Sequence, residues 1–445
     1  MKSAKQTQNK TRNRRRTWKW ILLSTFLPFY LSTFLPAVDI YLELKSGGRR
    51  LNISLMPLDD DSVGGVSKVS SDILQIVSDD LSYSGIFNII TLPADQILKK
   101  KFDFPKKDRD IAIANGLDTI VKFETKFKSN RLILSGYCWD VASCKKMFDR
   151  DYKFSEDETR KIAHNFAEDI IKLLTGQQIK LASKIAFSNT LSGSKEIWCV
   201  DYDGKNLTRL TYHKSISILP KFSNDARYLF YTTYKDGNPD VFRYDFEKRK
   251  SSPFLTYQGI NIVGSVSPDG QYIIATLSKD GDPELYLFTD AKKLVRRLTY
   301  SKGVDTSASF SPNSKEFVFV SERGLQGNPQ LYIMDIDGTN LRKITYTGYN
   351  GSPCWSPIGD KIVFTRRAGS VFNILLYDIA TQKEYQLTRN AGSNEEPSFS
   401  PDGRHIVFVS TRHGRAELFT MLANGEAQKP LLTISRDSTN PVWSP

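Results

Sequence analysis

The chain has 445 residues, of which 40% are hydrophobic, so it is long enough for two domains with ordinary cores. Its formal net charge is +13, but residues 1–37 hold eight basic residues and no acidic ones, which leaves only +5 on the rest. This mild excess disfavours a nucleic-acid-binding protein, in which basic residues concentrate on the folded body.

The N-terminus has the pattern of an export signal. A basic stretch ends at Lys19, and an apolar run interrupted by Pro28 follows from Trp20 to Leu35. The run is short for a membrane-spanning helix, which needs about 20 apolar residues, and Ala37 offers a small residue for cleavage. We predict a signal peptide over residues 1–37, with an uncleaved membrane anchor as the alternative. In both cases the folded body lies outside the cytoplasm.

Residues 38–180 predict a small α/β domain with helices packed against a mixed sheet. Strands are expected at 39–44, 51–55, 132–137 and 147–154, with a turn entering another strand at 116–121, and helices at 71–83 and 159–174. Ser71 and Asp72 can cap the first helix, and Gly176 stands just past the end of the second. No glycine-rich phosphate loop opens either helix.

From residue 181 to the C-terminus the chain repeats with a period of 44 or 45 residues. Each copy is anchored by a serine, usually followed by proline and then by Asp-Gly or a related pair: Ser223, Ser267, Ser311, Ser356, Ser400 and Ser444. Four short apolar runs lie between anchors, separated by turn residues, and one of them ends in Leu-Thr or Ile-Thr, as at Leu298-Thr299. Such a period predicts one antiparallel blade per copy. We therefore predict an α+β multidomain protein, with an N-terminal α/β domain (38–180) and a six-bladed β-propeller (181–445).

The phase of the repeat predicts how the ring closes. It begins near Lys184 with a second strand that lacks a first strand, and it stops at Ser444 after a first strand that lacks a second. One blade is therefore expected to combine both ends of the repeat, which leaves no sheet edge unpaired at the junction.

Catalytic and metal-binding motifs are missing from the sequence. It contains no Gly-x-Ser-x-Gly, no His-Glu-x-x-His and no P-loop, and its histidines are scattered. The Asp-Gly pairs at Asp203-Gly204 and Asp337-Gly338 lack the later ligands of a calcium loop and suit hairpin turns. We predict no enzymatic activity, no cofactor and no metal. Cys138 and Cys144 flank a turn and could pair, whereas Cys199 and Cys354 suit buried thiols.

One row of small polar residues stands six positions before the anchors: Ser217, Asn261, Asp305, Asn350, Asn394 and Ser438. The row begins the innermost strand of each blade, so these residues are expected to ring the mouth of the central channel and receive a loop of a partner. The alternative is that small polar residues merely suit turns.

The order of parts resembles the TolB family, the periplasmic propeller proteins of the Tol–Pal system. The motifs that carry the resemblance are Ser-Pro-Asp-Gly at 267–270 and 400–403, Val200-Asp201-Tyr202-Asp203-Gly204, Leu174-Thr175-Gly176 and Trp443-Ser444-Pro445. The resemblance covers nearly all of the predicted mature chain. Two departures stand out: the anchor at Ser223 lacks its proline and glycine, and residues 261–264 are more apolar than the family pattern.

The resemblance implies a non-enzymatic, monomeric periplasmic adaptor that supports outer-membrane integrity and constriction at cell division. It implies that the propeller binds the lipoprotein Pal, with Thr306 at the position of a Pal-contacting threonine. It also implies that a switch segment binds the inner-membrane protein TolA: Val38, Asp39, Ile40, Tyr41, Leu42, Glu43, Leu44 and Lys45. Outer-membrane porins or lipoproteins are further candidate partners. A propeller lectin for peptidoglycan or other glycans and a propeller-type hydrolase are the alternative functions.

Overall fold

A computed structural model describes residues 49–58, 67–92, 104–324 and 328–445. The predicted signal peptide, the strand expected at 39–44 and the switch segment 38–45 lie outside the described residues. No helix in the described ranges is both long and apolar enough to cross a membrane.

The N-terminal domain contains a five-stranded mixed sheet, as predicted. Its strands are β1 Leu51–Pro57, β2 Phe87–Ile89, β3 Thr119–Lys128, β4 Arg131–Asp140 and β5 Lys146–Phe154. They run in the order β2-β1-β3-β4-β5, with β1 parallel to β2 and β3 and the remaining pairs antiparallel. The helices are α1 Lys68–Tyr83, α2 Lys106–Ala114 and α3 Thr159–Thr175.

Capping residues set the start of α1 and the end of α3. α1 starts earlier than predicted because Ser67, rather than Ser71 or Asp72, is the cap: its Oγ accepts a hydrogen bond from the Ser70 N–H at 3.1 Å. α3 ends as predicted at Gly176, whose φ of 70° places it in the left-handed region that favours glycine. α2 was not predicted, because its short sequence mixes charged and apolar residues without a clear stripe.

The residues from 184 onward form six four-stranded antiparallel sheets, which confirms the predicted blades. Blade 1 contains β6 Lys184–Asn189, β7 Glu196–Asp201, β8 Thr208–Arg209 and the last strand, β29 Ser438–Trp443. Blade 2 contains β9 Ser217–Phe222, β10 Tyr228–Thr233, β11 Asp240–Asp245 and β12 Lys250–Leu255. Blade 3 contains β13 Asn261–Val266, β14 Tyr272–Leu277, β15 Glu284–Thr289 and β16 Leu294–Arg297.

Blades 4 to 6 repeat this order. Blade 4 contains β17 Asp305–Phe310, β18 Glu316–Ser321, β19 Gln330–Asp335 and β20 Arg342–Lys343. Blade 5 contains β21 Tyr349–Trp355, β22 Lys361–Ala368, β23 Val371–Asp378 and β24 Lys383–Gln386. Blade 6 contains β25 Asn394–Phe399, β26 His405–Ser410, β27 Glu417–Leu422 and β28 Lys429–Pro430.

The ring closes as the repeat phase predicted. β29 pairs antiparallel with β6, in a register that joins Ser438 to Asn189 and Trp443 to Ile185. The last amino acids of the chain thus supply the innermost strand of blade 1.

The repeated serine is conserved between blades because it closes a turn. At Ser400, the Oγ accepts the His405 N–H at 2.9 Å, and Asp402 Oδ1 accepts the Arg404 N–H at 3.1 Å. Gly403 follows with φ of 69°. The copy at Ser223, which lacks the proline and glycine of the pattern, keeps the same turn because Ala226 adopts a φ of 55°. A residue with a side chain is strained there, but the turn tolerates it.

The anchor turns lie on one face of the propeller, which we call the anchor face. The innermost strands begin on the opposite face, which we call the entry face. The N-terminal domain packs on the anchor face: Tyr202 donates a hydrogen bond to Asp80 of α1, and His405 Nε2 lies 2.8 Å from the Tyr83 carbonyl oxygen. A single apolar cluster extends from α1 and α3 to Trp443, so the two parts share one core.

Candidate functional site

The main cavity is the central channel of the propeller, with a volume of about 910 Å³. The innermost strands of all six blades line it. At the anchor face, Glu168 of α3 and residues 178–180 also line it. At the entry face, no described residue of the N-terminal domain lines the channel.

The predicted ring of polar residues begins the innermost strands, but its side chains do not face the channel mouth as expected. All six are buried within the blades, with exposures of 0% or 1%. They are held by their own chain, as shown by the partners of four of them: Ser217 with Thr233, Asn261 with the Tyr257 carbonyl, Asn350 with Gln330, and Ser438 with Asn189. Asn394 likewise accepts from Ser410 at 2.8 Å.

Asp305, the charged member of the ring, is part of a buried ion pair. Its Oδ2 accepts hydrogen bonds from Arg323 Nη2 and Ser301 Oγ, both at 2.8 Å. Its Oδ1 is buried and has no partner among the described residues. These contacts give Asp305 a structural role, and any role of the six residues in partner binding stays a prediction.

The innermost strands are irregular shortly after the ring residues. Each of these strands carries a register shift, and in five of them a non-glycine residue has positive φ: Leu219, Ser307, Ser352, Glu396 and Asn440. Such a bulge re-aims the side chains that follow it. The bulge lies after the ring residues, and sequence alternation alone could not show which residues beyond it line the channel.

Thr306, the next residue after Asp305, does face the channel. It is half-buried, lines the central cavity, and also lines an adjoining cavity of about 310 Å³ together with Gly351 and Glu395. Its Oγ1 lies 3.2 Å from Thr276 Oγ1. The residues that directly follow the ring residues in sequence are thus accessible from the channel or the adjoining cavity. The same repeat spacing, started one residue later, would have identified them.

Sequence reasoning also missed a row of exposed tyrosines on the entry face, which we call the tyrosine crescent. One tyrosine follows the outermost strand in each of four successive blades: Tyr212, Tyr257, Tyr300 and Tyr346. Their exposures are 67%, 36%, 75% and 73%. The signal was the Leu-Thr or Ile-Thr strand end, which a tyrosine follows directly in these four blades.

Each tyrosine of the crescent is accompanied by a cation. Arg209 lies 4.4 Å from the ring centre of Tyr212, and Arg297 lies 4.6 Å from that of Tyr300. Lys343 and Lys279 lie 5.4 and 5.9 Å from the rings of Tyr346 and Tyr257. These are cation–π contacts, which favour the observed orientations of the rings.

Lys221 and Glu396 of the innermost strands line the channel, and Glu395 lines the adjoining cavity. Burial lowers the pKa of Lys221, and the nearby Cys354 and Glu396 oppose that shift. Burial raises the pKa of Glu396, whereas hydrogen bonds from Asn440 oppose it. Burial also raises the pKa of Glu395, and the charge of Glu396 adds to this effect.

The described residues contain no group of three or more His, Cys, Asp or Glu side chains that could hold a metal ion. The two Asp-Gly pairs form turns, with Gly204 and Gly338 at positive φ and Asp203 paired to Arg160. Cys138 and Cys144, whose pairing was left open, are both unpaired thiols, and Cys138 is buried in β4.

These features define a six-bladed β-propeller with a closed ring, joined on its anchor face to a small α/β domain. The chain belongs to the TolB family, because residues 171–445 match the family model described as the TolB beta propeller domain. It is 34% identical over 449 residues to a protein of Chlorobium luteolum named "Protein TolB homolog", covering 90% of this chain and 91% of that one.

Two other comparisons agree with this assignment. A Geobacter sulfurreducens protein named "Tol-Pal system protein TolB" is 33% identical over 218 residues, which span 47% of this chain and about half (49%) of that relative. The crystal structure of TolB from Acinetobacter baumannii superposes with a TM-score of 0.78, covering 89% of this chain and 97% of that one. At 24% identity, that structure supports the fold alone.

Proposed function

We propose that this protein is a non-enzymatic periplasmic adaptor of the Tol–Pal system, supporting outer-membrane integrity and constriction at cell division. In this proposal the entry face binds the lipoprotein Pal, and the switch segment 38–45 binds TolA. Family membership supports the system, and the surface of the propeller supports the mode of binding.

The observation that carries the proposal is the tyrosine crescent. Tyrosine and arginine are enriched among the residues that dominate protein–protein binding energy. Four tyrosines in successive blades, each with a cation within 6 Å of its ring centre, give the entry face the composition of a protein-binding surface. The N-terminal domain occupies the anchor face, which leaves the crescent accessible.

The charge of the entry face favours an acidic partner. Basic residues outnumber acidic ones in its turns, with Lys214, Lys302, Arg389, Arg415 and Arg436 among them. Complementary charge would speed encounter with a negatively charged domain and would weaken as salt screens it.

The test is the affinity of the purified protein for the lipid-free Pal domain from the same genome. Tyr300→Ala and Tyr346→Ala are each expected to weaken binding by about 1–2 kcal/mol, roughly tenfold, if they act as binding hot spots. Thr306→Arg is expected to block a loop that enters the channel. Tyr385→Ala is the matched control, because Tyr385 is 49% exposed but lies on the outermost strand of blade 5. The absence of Pal binding, or equal effects of all the tyrosine variants, would contradict the proposal.

The switch segment calls for a separate experiment. Deletion of residues 38–45 is expected to remove TolA binding and to leave Pal binding unchanged or stronger. Loss of both interactions would instead point to misfolding, which circular dichroism of the deletion variant would reveal. Binding to peptidoglycan fragments in place of both proteins would favour a lectin.

The location of the protein is tested in cells. The protein is expected among the contents released by osmotic shock of the outer envelope. Its retention in the cytoplasmic fraction would contradict the periplasmic assignment.

A further inference from the structure

Two buried acids lie where blade 3 joins blade 4. Glu284 is the first residue of β15 and Asp305 is the first residue of β17, and their exposures are 1% and 0%. The backbone holds the two positions side by side, because the Asp305 N–H donates to the Pro283 carbonyl at 2.9 Å. Matching residues make the same contact at the junctions before and after this one.

Each of the two carboxylates has one oxygen with a donor and one without. Arg297 Nη2 donates to Glu284 Oε1 at 3.1 Å. Arg323 Nη2 and Ser301 Oγ both donate to Asp305 Oδ2 at 2.8 Å. Glu284 Oε2 and Asp305 Oδ1 are buried, and neither has a hydrogen-bond partner within the described ranges. Such buried acceptors are rare and unfavourable, so a donor is needed at this junction.

The next junction shows how the two positions are normally bridged. Gln330 and Asn350 stand there in the places of the two acids, and Asn350 Nδ2 donates to Gln330 Oε1 at 3.0 Å. The Asn350 oxygen accepts a hydrogen bond from an arginine, as Asp305 Oδ2 does. Asp305 Oδ1 therefore takes the place of the donating amide nitrogen and is directed toward Glu284.

The pairing of two acids is peculiar to this junction. Between blades 2 and 3, Asn261 Nδ2 donates to Asp240 Oδ1 at 3.4 Å. The six junctions all fall within the described residues, and only the one between blades 3 and 4 places an acid against an acid. An amide brings its own donor hydrogens, whereas two carboxylates bring none. A single proton would supply the missing hydrogen bond.

Burial favours the uptake of that proton. It raises the pKa of Glu284 above the ordinary value of a glutamate, and the negative charge of Asp305 adds to the shift. Hydrogen bonds from Thr299 and Arg297 oppose this rise in the pKa of Glu284 without cancelling it.

The other ionisable groups around the pair do not supply a donor to the two facing oxygens. Tyr286 and Tyr332 interact with the pair electrostatically, and burial raises the pKa of both phenols, which keeps them neutral. Asp282 and Glu322 add negative charge nearby, since their carboxylates accept the N–H groups of residues 303 and 304. The remaining cation, Arg323, is already bound to Oδ2 of the pair.

We propose that Glu284 and Asp305 bind one shared proton at a pH where ordinary carboxyl groups are ionised, so that a carboxylic acid–carboxylate hydrogen bond clasps blade 3 to blade 4. Because the folded-state pKa of Glu284 is raised, this clasp is closed at low pH and is lost as the pH rises through that value. The clasp directly precedes Thr306, so the loss of the proton loosens the strand that lines the channel there. The device acts without any partner protein.

Infrared difference spectroscopy at about pH 6 tests for the shared proton, because ordinary carboxyl groups are ionised there and a protonated carboxyl absorbs apart from a carboxylate. The difference between the wild type and Glu284→Gln is expected to contain a carboxylic acid band that disappears as the pH is raised. Glu196→Gln is the matched control, since Glu196 holds the same position in blade 1 and faces a serine. Both Glu196 oxygens have donors, from Arg209, Thr211 and the Lys214 N–H, so this variant is expected to lose a carboxylate band only.

Urea denaturation at about pH 8 provides a second measurement. Glu284→Gln gives Asp305 Oδ1 an amide donor, so its urea midpoint is expected to equal or exceed that of the wild type, whereas Glu196→Gln is expected to lower the midpoint. If Glu284→Gln does not fold, Asp305→Asn, which recreates the amide of the neighbouring junctions, is expected to remove the same acid band. The proposal is overturned if neither variant removes an acid band, or if Glu284→Gln lowers the urea midpoint as much as Glu196→Gln does.

Discussion

The hydroxyl of Ser444 accepts a hydrogen bond at 2.9 Å from the backbone N–H of Lys184, a residue 260 positions earlier in the sequence. The Ser444 N–H in turn donates to the Lys184 carbonyl at 2.8 Å. The pair reproduces, between the two ends of the repeat, the contact that Ser400 makes with His405 within one copy. The closing turn is therefore held by the same kind of contact as the turns within the copies.

Removal of the closing tryptophan tests the contribution of this junction. Trp443 is 6% exposed, and its Nε1 donates to Ser183 Oγ at 2.8 Å. Trp443→Ala is expected to lower the free energy of unfolding by about 3–5 kcal/mol, as for other buried aromatic truncations. Urea denaturation measures the change, and Tyr212→Ala, at a largely exposed ring of the same blade, is expected to cost far less. Equal losses would mean that the junction contributes little.

The threonine of the Leu-Thr strand end is expected to be structural. Thr299 Oγ1 accepts the buried Leu285 N–H at 2.9 Å, and Thr211, Thr345 and Thr388 make the same contact in their blades. Thr299→Val keeps the shape but leaves that N–H without a partner, so it is expected to cost about 1–3 kcal/mol. Thr347→Val, at an exposed threonine, is the control for the same unfolding measurement. An unchanged stability of Thr299→Val would show that water replaces the hydroxyl.

Asp305 and Thr306 were both predicted to bind the partner, but substitutions at the two positions are expected to change stability by different amounts. Asp305→Ala leaves Arg323 without its carboxylate and is expected to lower the free energy of unfolding by about 2–4 kcal/mol. Thr306→Ala removes a half-buried hydroxyl at the channel and is expected to cost less than about 1 kcal/mol. Thermal unfolding of both variants distinguishes these roles. A larger loss for Thr306→Ala would reverse the assignment.

His405 is expected to make stability depend on pH. Burial lowers the pKa of His405 to about 4, against about 6.5 for an unperturbed histidine. Because the folded-state pKa is the lower one, the unfolded chain binds the proton first as the pH falls. Stability is therefore constant above about pH 6.5 and declines between pH 6.5 and 4, by on the order of 3 kcal/mol.

Urea denaturation at several pH values between 4 and 7.5 measures this dependence. His405→Gln keeps a donor for the Tyr83 carbonyl but does not titrate, so it is expected to flatten the decline. His413→Gln, at a histidine with a half-exposed side chain, is expected to retain most of it. Identical slopes in the wild type and His405→Gln would show that other groups are responsible.

Several parts of the site escaped sequence analysis for a common reason. The first residue of each innermost strand was assigned to the channel from its place in the repeat, but Asn261, Asp305 and the others turn into the blades. Hydrogen bonds within the blades hold these first residues, and a bulge further along each strand sets which of the later residues line the channel. The same limit concealed Lys221, whose sequence position gives no sign that it faces the channel.

The sequence by itself determined the number of blades, the strand order within them and the closure by Trp443 and Ser444. These features follow from local turns and apolar alternation, which the steady period of the anchor serines makes visible. Only the tertiary structure decided that Asp305 is buried while Thr306 is accessible, and that Lys221 and Glu396, from blades 2 and 6, line one channel. The physical reason is that strand bulges and the radial packing of six sheets set side-chain direction, and both depend on contacts between residues far apart in the chain.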